Sequence, residues 1–323
     1  MSPDVAGAVE DLRRAGVLSA EAAAIVGPVA RGERVSVRAE LRALFYGGVL
    51  LVMAGVSWLV RENLDRLGPV AVATGIGLAA LLCLAWAFRV GPAFSRGEVA
   101  SPNLAFDYVL LLGVLLAAAE LAYVEAQFTP LGASWPVHFL LVAALSCALA
   151  FRYDSRALFS LGLASVAAWR GVSVSLGAAQ LALAGAMPER LRWNALGCGV
   201  VFGLMGAALA RSALKPHFEG VATHIGALLV LGALVSGSGL DRGGELVYTL
   251  ALLVVATSLA VVAARSRRYS LFVLGTIGGY WALGLLIART EPPAELALLL
   301  LALSALGLVA GLIRARRLFR EDE

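Results

Sequence analysis

The sequence predicts an all-helical, polytopic transmembrane bundle, and three observations carry that prediction. Hydrophobic residues make up 60% of the chain and charged ones 15%, against roughly 25% charged in an ordinary soluble domain. The apolar residues are gathered into ten stretches of roughly 17 to 20 residues, about the length a helix needs to cross a hydrocarbon core. The charges lie at the borders of those stretches, where long cationic side chains can reach the headgroups.

Residues 1–42 are a different material, with arginines and carboxylates interleaved with Val5, Val9, Leu12, Val17, Leu18, Ile25 and Val26. They predict a small cytosolic amphipathic helical hairpin. Leu12 to Ala15 closes its first helix, Gly16 suits the left-handed position after a helix, and Ser19 caps a second helix whose first turn carries Glu21. The hairpin is either a solvated lead-in or a docking module for a protein partner. No continuous apolar core of a signal peptide precedes the first span, so the N-terminus is expected to stay in the cytoplasm.

The spans of the transmembrane domain, 43–314, follow in order. The first, 43–60, closes on Trp58 and Arg61, and the second, 69–88, on Trp86 and Arg89. The third, 105–124, carries Asp107 and Glu120; the fourth, 136–151, opens beside Trp135 and ends at Arg152. The fifth, 156–170, ends on Trp169 and Arg170, and the sixth, 194–210, runs from Trp193 to Arg211. The last four are 219–238, 245–264, 269–288 and 294–313, three of them closed by Arg265, Arg289 and Arg314. A short charged cytosolic tail, 315–323, remains. Tryptophans at these borders are interfacial anchors.

Charge decides how the segment 171–187 is read. With ten spans and a cytoplasmic N-terminus, 19 of the 26 basic residues fall on the cytoplasmic side. An eleventh crossing at 171–187 would invert everything after it and leave 14 inside and 12 outside, almost no bias where a strong cytoplasmic excess is usual. Ten spans with both termini cytoplasmic is therefore the reading. It divides the domain into halves of five, 43–170 and 194–313, a count compatible with an inverted repeat although the halves share no motif. The net charge of +4 then reflects membrane orientation and not a nucleic-acid surface.

Small residues are the most frequent pattern, and Gly199 with Gly203, Gly275 with Gly279 and Gly307 with Gly311 are GxxxG pairs. Such strips let helix backbones approach, within one bundle or between copies in a homo-oligomer. The cysteines, Cys83, Cys147 and Cys198, lie inside apolar segments without metal-ligand spacing and read as packing residues.

Ionisable side chains in or beside the spans are the candidate functional positions, because charge in hydrocarbon costs at least ~2.5 kcal/mol and tends to be retained for a purpose. Asp107, Lys215, His217, Glu219 and His224 fall toward the cytoplasmic face; Glu120, Glu125 and His138 fall toward the outer face. His217 and His224, seven residues apart, would share a helix face but stand roughly 10 Å apart along it, too far to chelate one metal without another segment. Their alternatives are structural hydrogen bonds at a helix start, with Pro216 in the first turn, or a polar, proton-accepting lining. Glu120 is the acid of choice for any transport role, and pairing with His138 or Gln127 is its bland alternative. No GxSxG, HExxH or Walker loop is present, so no catalytic, metal or cofactor site is assigned.

The stretch LRRAGVLSAEAAAIV (12–26), followed by a glycine-rich first span and the RENLDRLGP loop (61–69), resembles the bacterial predicted membrane proteins of the domain of unknown function 2157 family. RWNALGCGVVFGLMGAAL (192–209) and KPHFEGVATHIGALL (215–229) are similar to later segments of such proteins. The resemblance implies a bacterial inner-membrane location and carries no activity, substrate or site residue. The expected function is a non-enzymatic structural or partner-binding membrane component, with a secondary transporter or channel for a small solute, proton-coupled or not, as the alternative.

Overall fold

The computed structural model describes residues 9, 12–14, 16–19, 26–27, 38–99, 101–171, 188–212, 214–239 and 244–320. Among them the regular structure is helical, without a strand. The helices are α1 (Arg38–Leu67), α2 (Pro69–Val90), α3 (Leu104–Phe128), α4 (Val137–Tyr153), α5 (Arg156–Trp169), α6 (Glu189–Arg211), α7 (Glu219–Ser238), α8 (Glu245–Arg265), α9 (Tyr269–Ala288) and α10 (Ala294–Arg320). Two compact units result, Met1–Gly68 and Pro69–Glu323.

In the first unit Gly16 adopts φ +72°. Its N–H bonds to the Arg13 carbonyl and the Val17 N–H to the Leu12 carbonyl, both at 3.1 Å, the double bond that closes a helix through a left-handed glycine. Most of the expected 1–42 hairpin, including Glu21 and the second helix, lies outside the described residues. α1 runs past the apolar stretch through the expected 61–67 loop and stops at Gly68, φ +75°.

Among the described residues, six helical segments are long and apolar enough to cross a membrane: Pro69–Val90, Ala105–Phe128, Glu189–Arg211, Pro216–Ser238, Glu245–Arg265 and Tyr269–Ala288. Ala43–Trp58 of α1, together with α4 and α5, are shorter apolar helices. α5, at 14 residues, is about 21 Å long, short of a hydrocarbon core of roughly 30 Å. The apolar surface of these helices implies a lipid bilayer as the protein's environment.

Local chemistry sets the ends. Asn103 caps α3 by accepting the Phe106 N–H at 2.9 Å, and Ser155 caps α5 through the Leu158 N–H at 3.4 Å. α3 and α4 each end on a left-handed residue, Thr129 (φ 48°) and Asp154 (φ 64°), whose N–H closes back on Glu125 and Ala150. Consecutive helices pack as antiparallel pairs: α2 with α3, α4 with α5, α6 with α7, and α8 with α9.

Within lipid, apolar burial by itself drives no association, so close van der Waals fit must supply it. One such close approach is α6 on α7. A Cβ on Gly199 would stand 2.7 Å from the Gly226 carbonyl, and one on Gly226 would stand 2.7 Å from the Gly199 carbonyl. Phe151, Phe159 and Phe218 then fill the space where α4, α5 and the start of α7 meet, with Phe159 stacked on Phe218 at 4.7 Å.

The connections sort into two ends. The α2–α3, α4–α5 and α6–α7 connections meet one another through Val99, Asp154, Lys215 and Arg96, and Arg268, just before α9, reaches Glu219 at that same end. At the opposite end Arg170 after α5 bonds Asn194 of α6, and Arg289 after α9 pairs with Glu245 of α8. Helices α2 to α9 therefore alternate in direction, and the chain between Arg170 and Asn194 starts and finishes at one end.

Candidate functional site

The most concentrated chemistry in the second unit is a buried node where three connections converge. It begins with two backbone turns. Asp154 ends α4 in the left-handed region, which directs its side chain away from the continuing chain. Lys215, also left-handed at φ 49°, precedes the 3₁₀ turn Pro216–Phe218. A left-handed conformation costs an ordinary residue roughly 1–2 kcal/mol, and aspartate, with its short polar side chain, is among the residues that adopt it more readily.

The Asp154 and Lys215 side chains reach each other. Lys215 Nζ stands 3.4 Å from Asp154 Oδ1, and the two side chains are 0% and 1% exposed. His217 Nε2 contacts the same Oδ1, while Oδ2 accepts the Val99 N–H at 2.5 Å. Lys215 also donates from Nζ to the Gly97 carbonyl at 3.1 Å and from its backbone N–H to the Arg96 carbonyl at 2.7 Å. Around this core Arg152 donates to the Pro92 carbonyl at 2.5 Å and covers the Tyr153 ring at 4.7 Å, and exposed Arg156 pairs with exposed Glu98 at 2.9 Å.

An isolated buried charge costs several kcal/mol, which a partner offsets only with good geometry and hydrogen bonds to the remaining valences. Lys215 Nζ donates to the Gly97 carbonyl and Asp154 Oδ2 accepts the Val99 N–H, while Oδ1 is met by the ion-pair contacts of Lys215 and His217, so the partners are drawn from α2–α3, α4–α5 and α6–α7 together. A general acid or base must lie within hydrogen-bond reach of a reacting atom. Asp154 and Lys215 are closed off from one. The arrangement is chemically a clasp.

The positions singled out in the sequence take separate places. Asp107, in the first turn of α3, accepts the Ser101 hydroxyl at 2.6 Å. Glu120 lies against Gly77 of α2, with carbon Cδ 3.7 Å from where a Cβ would stand, and its Oε2 is buried without a hydrogen-bond partner. It lines an open groove of about 440 Å³ with Thr74, Leu78, Leu81 and Phe128. Glu125 Oε2 accepts the Leu131 N–H at 3.0 Å. His138 is not Glu120's partner: its Nδ1–H donates to the Trp135 carbonyl at 2.5 Å, and its ring stacks on Trp135.

His217 and His224 do not line one cavity. His217 sits in the 3₁₀ turn, so the α-helical spacing that would align them does not apply. His217 turns to Asp154. His224 donates from Nδ1 to the Gly220 carbonyl at 2.6 Å, which leaves Nε2 to accept the Ser270 hydroxyl at 2.6 Å across to α9. Glu219 accepts Thr223 Oγ1 at 3.2 Å and pairs with Arg268.

Asp154 and the burial of Lys215 are what sequence reasoning missed. Asp154 stands between Arg152 and Arg156 and reads as part of a solvated loop. The available signal was Lys215, the one lysine among 26 basic residues.

The family model described as predicted membrane protein (DUF2157) matches residues 10–159. The similarity that the sequence implied therefore extends from the N-terminal segment through α4 and includes Asp154, whereas Lys215 and His217 lie beyond it. No curated protein and no solved structure matches the chain.

Proposed function

We propose that this chain is a non-enzymatic structural or partner-binding component of the bacterial inner membrane, with ten spans, cytoplasmic termini and residues 1–42 as its docking segment. The observation that carries the reading is the closed state of the Asp154 node. Its buried charges are consumed by other parts of the same chain and tie three connections together, as a scaffold requires. The alternation of α2 to α9, with Arg170 and Asn194 at one end, supports ten crossings over eleven. The cytoplasmic excess of arginine supports the orientation.

Support for docking comes from the glycine turn of the first unit, where Leu12 and Val17 are 45% and 74% exposed. Apolar side chains held out on a rigid turn are what a partner can bury. A photo-crosslinking residue at Val17 of the full chain in native membranes is expected to give one discrete adduct with a second protein. Adducts to lipid alone would refute the docking role. The transporter alternative draws on the ten spans and on Glu120 and His224, which no hydrogen bond or ion pair among the described residues joins to each other.

A further inference from the structure

We propose that the groove between α5 and α6, at the end of the bundle opposite the Asp154 node, is a seat for an anionic phospholipid. The groove encloses about 300 Å³ and is lined by Arg170, Trp193, Asn194, Gly197, Val201 and Phe202 among others. Its polarity is graded. Arg170 and Asn194 form the mouth, and the residues after Asn194 follow α6 into the bundle for roughly 12 Å as an apolar trough.

The mouth is built for an anion. Arg170 Nη2 donates to Asn194 Oδ1 at 2.9 Å, Asn194 Nδ2 donates back to the Arg170 carbonyl at 2.8 Å, and the guanidinium lies 5.6 Å from the Trp169 ring centroid. These contacts orient the guanidinium and leave most of its N–H groups open. No carboxylate pairs with it among the described residues, whereas the neighbouring Arg289 has Glu245 at 2.8 Å. A planar fork with an unneutralised charge matches a phosphodiester. Trp169 and Trp193 beside the mouth are both exposed, the residue type that is enriched at headgroup level.

The trough exists because residue 197 is glycine. A Cβ there would meet nothing within 4 Å, so the space beside α6 is open at the depth where the first segment of an acyl chain would lie. A water-soluble phosphate could use the mouth but not the trough. The combination selects a lipid.

The test is native mass spectrometry of the full chain in detergent, with phosphatidylglycerol and phosphatidylcholine of identical chains and with glycerol 3-phosphate. The wild type is expected to retain phosphatidylglycerol over phosphatidylcholine by about tenfold, the scale of one charge-assisted hydrogen-bond pair. Arg170→Gln should bring the two lipids near parity. Gly197→Leu, whose Cβ meets no atom within 4 Å and whose longer side chain takes up trough volume, should lower retention of both while leaving helix content and elution volume unchanged. An unaltered preference in Arg170→Gln, unaltered retention in Gly197→Leu, or glycerol 3-phosphate competing as well as the lipid would each overturn the proposal. Should Arg170→Gln misfold, Gly197→Leu decides alone.

Discussion

Lys215 and Asp154 meet from two left-handed turns, φ 49° and 64°, with Nζ 3.4 Å from Oδ1 and both side chains excluded from solvent. The carboxylate comes from the left-handed end of α4, and the ammonium from the left-handed entry to the 3₁₀ turn. Removing one partner of a buried pair leaves an uncompensated charge, at a cost of about 3–5 kcal/mol. Lys215→Met is therefore expected to lower the unfolding free energy in detergent by about that much. Adding Asp154→Asn should restore part of it. A loss below ~1 kcal/mol for Lys215→Met would mean that His217 and the Val99 N–H suffice for Asp154.

The Arg268–Glu219 pair at the same end offers the contrast. Its side chains are 38% and 14% exposed, and Glu219 keeps Thr223 as a donor when Arg268 is lost. Solvent-screened pairs contribute about 0–1 kcal/mol. Arg268→Gln should thus cost under ~1 kcal/mol in the same thermal unfolding series, and a cost equal to that of Lys215→Met would contradict the ranking.

Gly199 and Gly203 share a GxxxG motif yet face different surroundings. A Cβ at Gly199 would stand 2.6 Å from Val230 Cγ2 and 2.7 Å from the Gly226 carbonyl, while one at Gly203 meets nothing within 4 Å. Gly199→Ala must push α6 from α7, with an overpacking cost of about 1–3 kcal/mol. Gly203→Ala should be neutral or gain up to about 1 kcal/mol from helix propensity. Equal losses at both would show that the two glycines act as one strip.

The helix positions were legible because their signals are local. Apolar length, an arginine or tryptophan at the border and a glycine at position 16 each act within a few residues, and the Gly16 turn forms as its sequence implied. The outward extensions of α1 and α10 were not legible, because beyond the apolar stretch nothing in the hydropathy marks where a helix stops. The node was hidden for a different reason. Asp154, Val99 and Lys215 are far apart in the chain, and a charged loop residue looks the same in sequence whether it meets water or a buried ammonium. The helical spacing applied to His217 and His224 failed at the 3₁₀ turn Pro216–Phe218, which holds His217 outside the α-helix that begins at Glu219.

Arg170 and Asn194 bracket the segment whose crossing separates ten spans from eleven. Their reciprocal hydrogen bonds at 2.9 and 2.8 Å require both ends of that segment on one side. Cysteines at Arg170 and Glu189 should therefore label together with a membrane-impermeant maleimide applied from outside. Cysteines at Glu98 and Arg156, whose ion pair marks the node end, should label only after permeabilisation. Labelling of Arg170→Cys and Glu189→Cys from opposite sides would restore the eleventh crossing.

Glu120 poses the reverse problem to Lys215. Its Oε2 is buried without a partner against an apolar wall that includes Leu78 and Leu81. A buried polar group left unsatisfied costs about 1–3 kcal/mol, and the wall offers a leucine the contacts it denies a carboxyl. Glu120→Leu should accordingly raise the unfolding temperature in detergent, with Glu120→Gln producing the smaller change. A lowered Tm would mean that another group completes the carboxyl in the folded chain and that its role is structural. A raised Tm would make Glu120 a residue kept against stability, and the position at which a solute or proton assay should begin.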